Sequence, residues 1–272
     1  MYPNQPYVQS EIGPGLIDTH CHLDLEPLVT HLPRVLAAAH QAGVRRFVVP
    51  GVHPGGWKRI KLLAEEHHEI VPAAGIHPMH AALADDDVLT TLAGAAGESA
   101  AIGEIGLDPA YTVSLKTQEA AFRQQLRLAV SLGLPVLVHC RRAFQLTLQL
   151  LREEKAGCVG GIMHAFSGSP EMAREFIRLG FAISLSGTLT WQNAVRPLRL
   201  AREIPLEHLV LETDAPDMPP QSHRGETNQP AWLIETLVAL AAAKQVTPET
   251  VATATHENSV RVLGLTRERN VY

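Results

Sequence analysis

Six residues of this chain have the types and the placement to hold metal: His20, His22, Glu104, His139, His164 and Asp214. Each sits at or near the end of a short apolar run, as His139 does in Leu134-Pro135-Val136-Leu137-Val138-His139. Side chains two apart on a strand share a face, so a strand running through His20 and His22 would project both imidazoles side by side. Asp18 and Asp24 would join them, and four polar groups entering a barrel interior are costly to bury without a partner. A cation at the C-terminal end of that strand removes the conflict. Glu104 lies inside the apolar run Ile102-Gly103-Glu104-Ile105, where a carboxylate is rarely buried unless paired. Its two oxygens could bridge two cations. A single strand-end histidine is ordinarily a satisfied core residue, and Asp214-Ala215-Pro216 by itself suggests a turn. The joint placement of His139, His164 and Asp214 at strand ends favours ligands.

Two histidines, a glutamate, two further histidines and an aspartate, in that order, point to hydrolysis by metal-activated water. Two cations roughly 3.5–4 Å apart can clamp the attacking and leaving oxygens of a displacement. One or two ions are expected. Nitrogen-rich ligands suit Zn, Mn, Ni or Fe better than Mg, which prefers oxygen, and the identity stays open because availability often decides it.

Ligands scattered over the whole chain need a fold that gathers many strand ends at one mouth. Apolar, often β-branched runs occur at 15–24, 45–52, 70–77, 99–108, 134–140, 159–165, 181–188 and 208–214. Helical spacing of apolar residues is clearest over 117–132, in Ala121, Phe122, Leu126, Ala129 and Val130, with Gly133 as the stop. Similar patterns fit 28–42, 56–68, 143–154, 170–179, 191–203, 230–244 and 248–263. Alternating strands and helices predict a TIM (β/α)8 barrel with its site at the C-terminal strand ends. His22, His53, His77, Glu104, His139, His164, Gly187 and Asp214 fall at fairly even intervals, as eight strand-helix units require. An open doubly wound sheet would place its ligands at one switch point, which suits so dispersed a set poorly.

Composition narrows the class further. The 272 residues suit one barrel domain over 16–272, with a flexible extension over 1–15 that carries Pro3, Pro6 and Pro14. No apolar run is long enough for a signal peptide or a membrane helix. With 23 basic and 28 acidic groups, the chain lacks the basic footprint of a protein that tracks duplex phosphates. A nucleic-acid substrate would then be held by metal ions and a few local arginines. Three cysteines beside 14 histidines read as reduced thiols of a cytoplasmic protein, not a disulfide framework. No obligate protein partner is evident.

At these same residues the chain resembles the TatD family of metal-dependent hydrolases and deoxyribonucleases. The likeness runs from about Leu16 to Leu263. It rests on IDTHCHLD (17–24), GIHP (75–78), IGEIGLD (102–108), QEAAFRQQLRLA (118–129), PVLVHCRRA (135–143), MHAFSG (163–168), LETDAPDMP (211–219) and TNQP (227–230). LETDAPDMP is most similar to the YjjV-type branch. The resemblance implies that His20, His22, Glu104 and Asp214 bind one metal, and that Glu104, His139 and His164 bind the second. It implies that Asp214 also accepts the proton of the attacking water, and that His77 and Arg141 face the substrate. A surface residue at a helix start is the plain alternative for Arg141. Cys140 stands where many members carry serine, and Thr227 and Gln229 replace the arginine and glutamate that often flank Asn228. Those departures bear on substrate preference and leave the metal chemistry untouched. Three functions follow: a DNase cleaving phosphodiester bonds of DNA ends or short nucleic acids, an esterase or amidohydrolase acting on a small molecule or an aminoacyl ester, and a metal-binding scaffold without catalysis.

Overall fold

The β-branched runs become eight strands: β1 (Leu16–Asp18), β2 (Val44–Val49), β3 (Ile70–Ala74), β4 (Ala101–Leu107), β5 (Val136–Cys140), β6 (Gly161–Met163), β7 (Phe181–Leu185) and β8 (Leu209–Leu211). They belong to a computed structural model in which residues 14–265 are described. The strands pair in parallel in the order β1 to β8. Between β8 and β1 the ring is drawn together by Thr19 N–H donating to Leu211 O (3.0 Å) and Asp214 N–H donating to His20 O (2.8 Å). The Thr19 hydroxyl adds a third bond, to Leu211 O at 2.9 Å. This is the expected (β/α)8 barrel. Its distortion lies in register shifts at Leu16/Ile17 and between Ile102 and Ile105. The expected extension over 1–15 lies outside the described residues except for Pro14 and Gly15.

A helix follows every strand: α1 (Leu32–Gln41), α2 (Trp57–Glu66), α3 (Asp86–Ala96), α4 (Leu115–Leu132), α5 (Phe144–Glu153), α6 (Pro170–Arg178), α7 (Val195–Glu203) and α8 (Leu233–Lys244), with α9 (Pro248–Leu263) closing the chain. α4 starts at Ser114, whose hydroxyl accepts from Thr117 N–H, and stops at Gly133 in the left-handed region (φ 68°). α3 has no counterpart among the helices expected from the sequence. Its alanines, glycine and threonines give a weak apolar stripe, and its start rests on the Asp85 carboxylate accepting from Val88 N–H.

Two apolar layers hold the barrel. Phe47, Phe122, Phe176 and Phe181 pack between strands and helices. Ile17, Val48, Ala101, Leu137, Ile162 and Val210 fill the interior, and Leu263 of α9 packs against them. The interior files continue upward by steps of two, from Leu137 to His139, from Ile162 to His164, and from Val210 through Glu212 to Asp214. The same alternation that fills the core therefore aims polar groups into the mouth.

Two glutamines on the buried face of α4 brace that mouth. Gln125 accepts from Ile76 N–H (2.7 Å) and donates to Ile76 O (3.1 Å). Gln118 does the same for Asp108, at 2.8 and 2.9 Å. Each amide satisfies both backbone groups of a residue where a strand has ended. Gln125→Leu would leave the buried N–H and C=O of Ile76 unpaired, at about 1–3 kcal/mol for each such group. Urea denaturation is expected to show a loss of about 2–6 kcal/mol for the two groups together.

Gly106 has φ +148°, and a Cβ there would stand 1.8 Å from the His139 carbonyl oxygen. Only glycine lets β4 approach β5 closely enough for Glu104 and His139 to touch.

Candidate metal centre

Glu104 is the hub. It is buried, and its two oxygens face different partners. Oε1 lies 2.8 Å from His139 Nδ1, 3.6 Å from His77 Nε2 and 3.7 Å from His164 Nε2. Oε2 lies 3.3 Å from His20 Nε2 and 3.9 Å from His22 Nε2. Asp214 closes the ring, with Oδ1 at 3.8, 3.7 and 3.6 Å from the Nε2 atoms of His20, His22 and His164. All six residues proposed as ligands from the sequence thus meet in one cluster.

The route by which His20 and His22 arrive differs from the expected one. β1 ends at Asp18, so the two histidines lie beyond the strand. Their segment is held from both sides instead: Thr19 N–H bonds to β8, Cys21 N–H to Val48 O (3.0 Å), and His22 N–H to Ala215 O (2.7 Å). The rings converge with centroids 5.1 Å apart. Asp18 and Asp24 do not enter the ring of ligands. Asp18 accepts from Thr213 N–H (2.9 Å) and from the Thr213 hydroxyl (2.6 Å), beside Asp214. Asp24 accepts from Arg59 at 2.9 Å.

The donor set fits a divalent cation. His20 is buried and neither of its ring nitrogens has a hydrogen-bond partner. His22 Nδ1 is in the same condition. Burying an imidazole with both nitrogens unpaired is unfavourable, and a cation accepting one lone pair relieves it. Burial and the neighbouring His164 push His20 down to about 3, so its ring is neutral and one of its nitrogens offers a lone pair. Burial opposes charge on Glu104 as well, but His77, His20, His139 and His164 outweigh it and hold the carboxyl well below its usual range.

Glu212 was not singled out in the sequence. It is fully buried, accepts from Ala165 N–H at 2.7 Å, and faces His164 Nδ1 at 3.0 Å. Burial opposes its ionisation, yet His164 keeps it charged. A carboxylate only accepts, so Nδ1 must carry the hydrogen, and a cation that displaced the proton on Nε2 would meet an inward-facing lone pair there. The signal was available in Leu211-Glu212-Thr213-Asp214, where two carboxylates two apart sit on one inward file. Glu212→Gln is expected to lower metal affinity or activity about 10–100-fold with the fold intact, read by competitive metal titration.

His77 is buried and lies inside the ring, not at its rim. Its Nδ1 accepts from Met79 N–H at 3.3 Å. Burial pulls it down to about 4, and a neutral ring whose Nδ1 accepts must carry its proton on Nε2. It therefore presents a donor to the site. Arg141 is more than half exposed, with a guanidinium nitrogen 3.9 Å from buried Asp108. Asp108 also lies 3.4 Å from His139 Nε2. Burial would lower His139, but Asp108 and Glu104 raise it to about 9. Burial likewise lowers His164, and Glu212, Asp214 and Glu104 lift it to about 10. His53 stands apart, exposed and accepting from Gly55 N–H. Cys140 is buried against the Thr147 hydroxyl, and burial pushes its thiol up to about 12, which suits packing and not nucleophilic attack.

Ligand-like residues thus converge from β4, β5 and the segments that follow β1, β6 and β8 of one barrel. The model of the TatD-related DNase family matches residues 17–264. This chain belongs to the TatD family. The metal-dependent hydrolase YabD of Bacillus subtilis is 38% identical to it over 250 residues, 91% of this chain and 98% of that one. The metal-dependent hydrolase YjjV of Escherichia coli is 32% identical over 249 residues, 89% and 95% of the two chains. The crystal structure of the YjjV TatD homologue from Escherichia coli superposes with a TM-score of 0.88, covering 92% of this chain and 98% of that one. The TatD chain described here is a metal-dependent hydrolase with groups able to hold one or two divalent ions. Among its described residues, no helix is long and apolar enough to cross a membrane.

Proposed function

We propose that this TatD hydrolase is a phosphodiesterase that trims DNA ends or short nucleic acids. The observation that carries the reading is the two-sided environment of Glu104, one oxygen toward His20 and His22 and the other toward His139 and His164. In this reading His20, His22, Glu104 and Asp214 hold one cation, and Glu104, His139 and His164 hold the second. Cations there supply Lewis-acid stabilisation of charge on phosphoryl oxygens and lower the pKa of water.

The chain's own groups do the rest. Asp214 receives the proton of the attacking water. Burial holds its carboxyl well above the usual range, against the pull of His164, so once ionised it is a stronger base than a surface aspartate. His77 donates from Nε2 to a substrate oxygen. Arg141, at the rim, pairs a phosphate oxygen. The three cysteines are free, two of them buried, which suits a reducing cytoplasm.

The mouth supports a small or terminal substrate. A cleft of about 690 Å³ contains His139, His164 and Asp214 at its floor and Arg141 at its side. That is the size of a small-ligand site, and it keeps open a second reading, hydrolysis of a small ester or amide. Chelation is expected to abolish activity and defined metal add-back to restore it, with elemental analysis giving the ion. A panel of single-stranded DNA against small esters and amides then decides the bond. Turnover of esters or amides alone would defeat the nuclease reading.

A further inference from the structure

The cleft above the metal centre continues away from Asp214 to Thr188, Trp191, Asn193 and Arg196. Arg196 lies in the first turn of α7, and the other three come from the loop between β7 and α7, which contributes nothing to the metal cluster. Trp191 is its one large aromatic ring, and the structure holds that ring unusually firmly. Its indole N–H donates to Pro219 O at 2.9 Å. The Arg224 guanidinium lies 4.2 Å above its ring centroid. On either side, Gln221 N–H donates to the Thr190 hydroxyl (2.7 Å) and Gln192 N–H to the Gln221 side chain (3.1 Å). The loop lies close against this support: a Cβ at Gly187 would come within 2.8 Å of Met218 O. Four contacts therefore stitch the loop after β7 to the loop after β8, which carries Asp214.

Arg224 occupies one face of the indole and Pro219 its only hydrogen-bonding atom. What remains for the cleft is apolar, flat and fixed in place. A tryptophan placed merely to fill space needs none of these restraints. A preorganised wall loses little entropy when a planar group stacks on it. Arg141 and Arg196 line the same cleft, so the group that stacks is joined to an anion.

We propose that Trp191 is a specificity-determining residue, a stacking wall for the base of the nucleotide that flanks the scissile phosphate. The inference rests on the phosphodiesterase reading of the site, and it adds that the enzyme recognises a base and not only a sugar-phosphate backbone. Stacking tolerates any base, since all four present a π face. The wall therefore selects nucleotides over phosphate esters that lack a planar ring, without choosing a sequence.

Equilibrium binding tests this apart from turnover. The metal-loaded protein is titrated calorimetrically with dAMP and with 2-deoxyribose 5-phosphate, which lacks the base. The native protein is expected to prefer dAMP by about 10-fold, within the range for one base stacked on one aromatic side chain. Trp191→Ala should erase that preference and leave the affinity for the sugar phosphate unchanged. Trp191→Phe should keep most of it, which separates stacking from a collapse of the loop. Equal affinity of the native protein for the two ligands overturns the proposal, and so does an undiminished preference in Trp191→Ala. A parallel loss of both affinities in Trp191→Ala and Trp191→Phe would make the residue a structural support and overturn it equally. Failure of the nuclease reading shows elsewhere, as absence of DNA cleavage by the native protein in the substrate panel.

Discussion

Glu104→Ala is expected to abolish hydrolysis, with kcat/KM falling by at least about 10³-fold, while the barrel stays folded. Loss of a single oxyanion donor typically costs 10²–10³, and here one carboxylate serves both halves of the cluster. Without it, His20 and His22 on one side and His139 and His164 on the other have no common oxygen. Bound metal should fall together with turnover. The fold should survive because the two raised imidazoles keep other counter-charges, Asp108 beside His139 and Glu212 beside His164. Elemental analysis, kinetics and thermal melting on the same preparation check all three statements. Unchanged metal content with full turnover would remove Glu104 from the centre of the mechanism.

Asp214→Asn separates proton transfer from architecture. Asp214 sits in the left-handed region at φ 59°, where asparagine and aspartate are tolerated and most other residues are strained. The substitution therefore leaves the backbone in place and keeps an oxygen that can face a cation. It removes the negative charge and with it the ability to accept a proton. A fall in kcat of about 10²–10⁴, the usual contribution of a positioned acid or base, is expected with little change in melting temperature. Asp214→Ala should lose activity as well and also about 1 kcal/mol of stability through backbone strain. Full activity in purified Asp214→Asn would rule out this residue as the base.

The barrel was legible because its strands are dense in valine, isoleucine and leucine and end in polar residues at regular intervals. The metal cluster was legible for the same reason: a histidine or carboxylate that terminates a buried apolar run is costly to desolvate unless something binds it. α3 escaped because alanine and glycine carry no strong periodicity. His20 and His22 reach the cluster by a route the sequence did not show, since the bonds that aim them run to β2 and β8, far away in sequence. Glu212 and the two α4 glutamines left faint marks, polar residues on faces otherwise apolar. The hydrogen position on His77 had no mark at all, because it depends on the backbone N–H of Met79 folding back onto the ring. The bracing of Trp191 is equally invisible in one dimension: it joins residues 187–192 to 218–224.

α9 has a practical bearing on how this enzyme can be handled. Leu263 packs at the floor of the barrel, and His256 lies 2.9 Å from the carbonyl of Gly15, just before β1 begins. The described residues thus begin and end on the same side of the barrel, opposite the mouth. A short peptide bridging Gly15 and Leu265 on that side would permit circular permutation without crossing the opening.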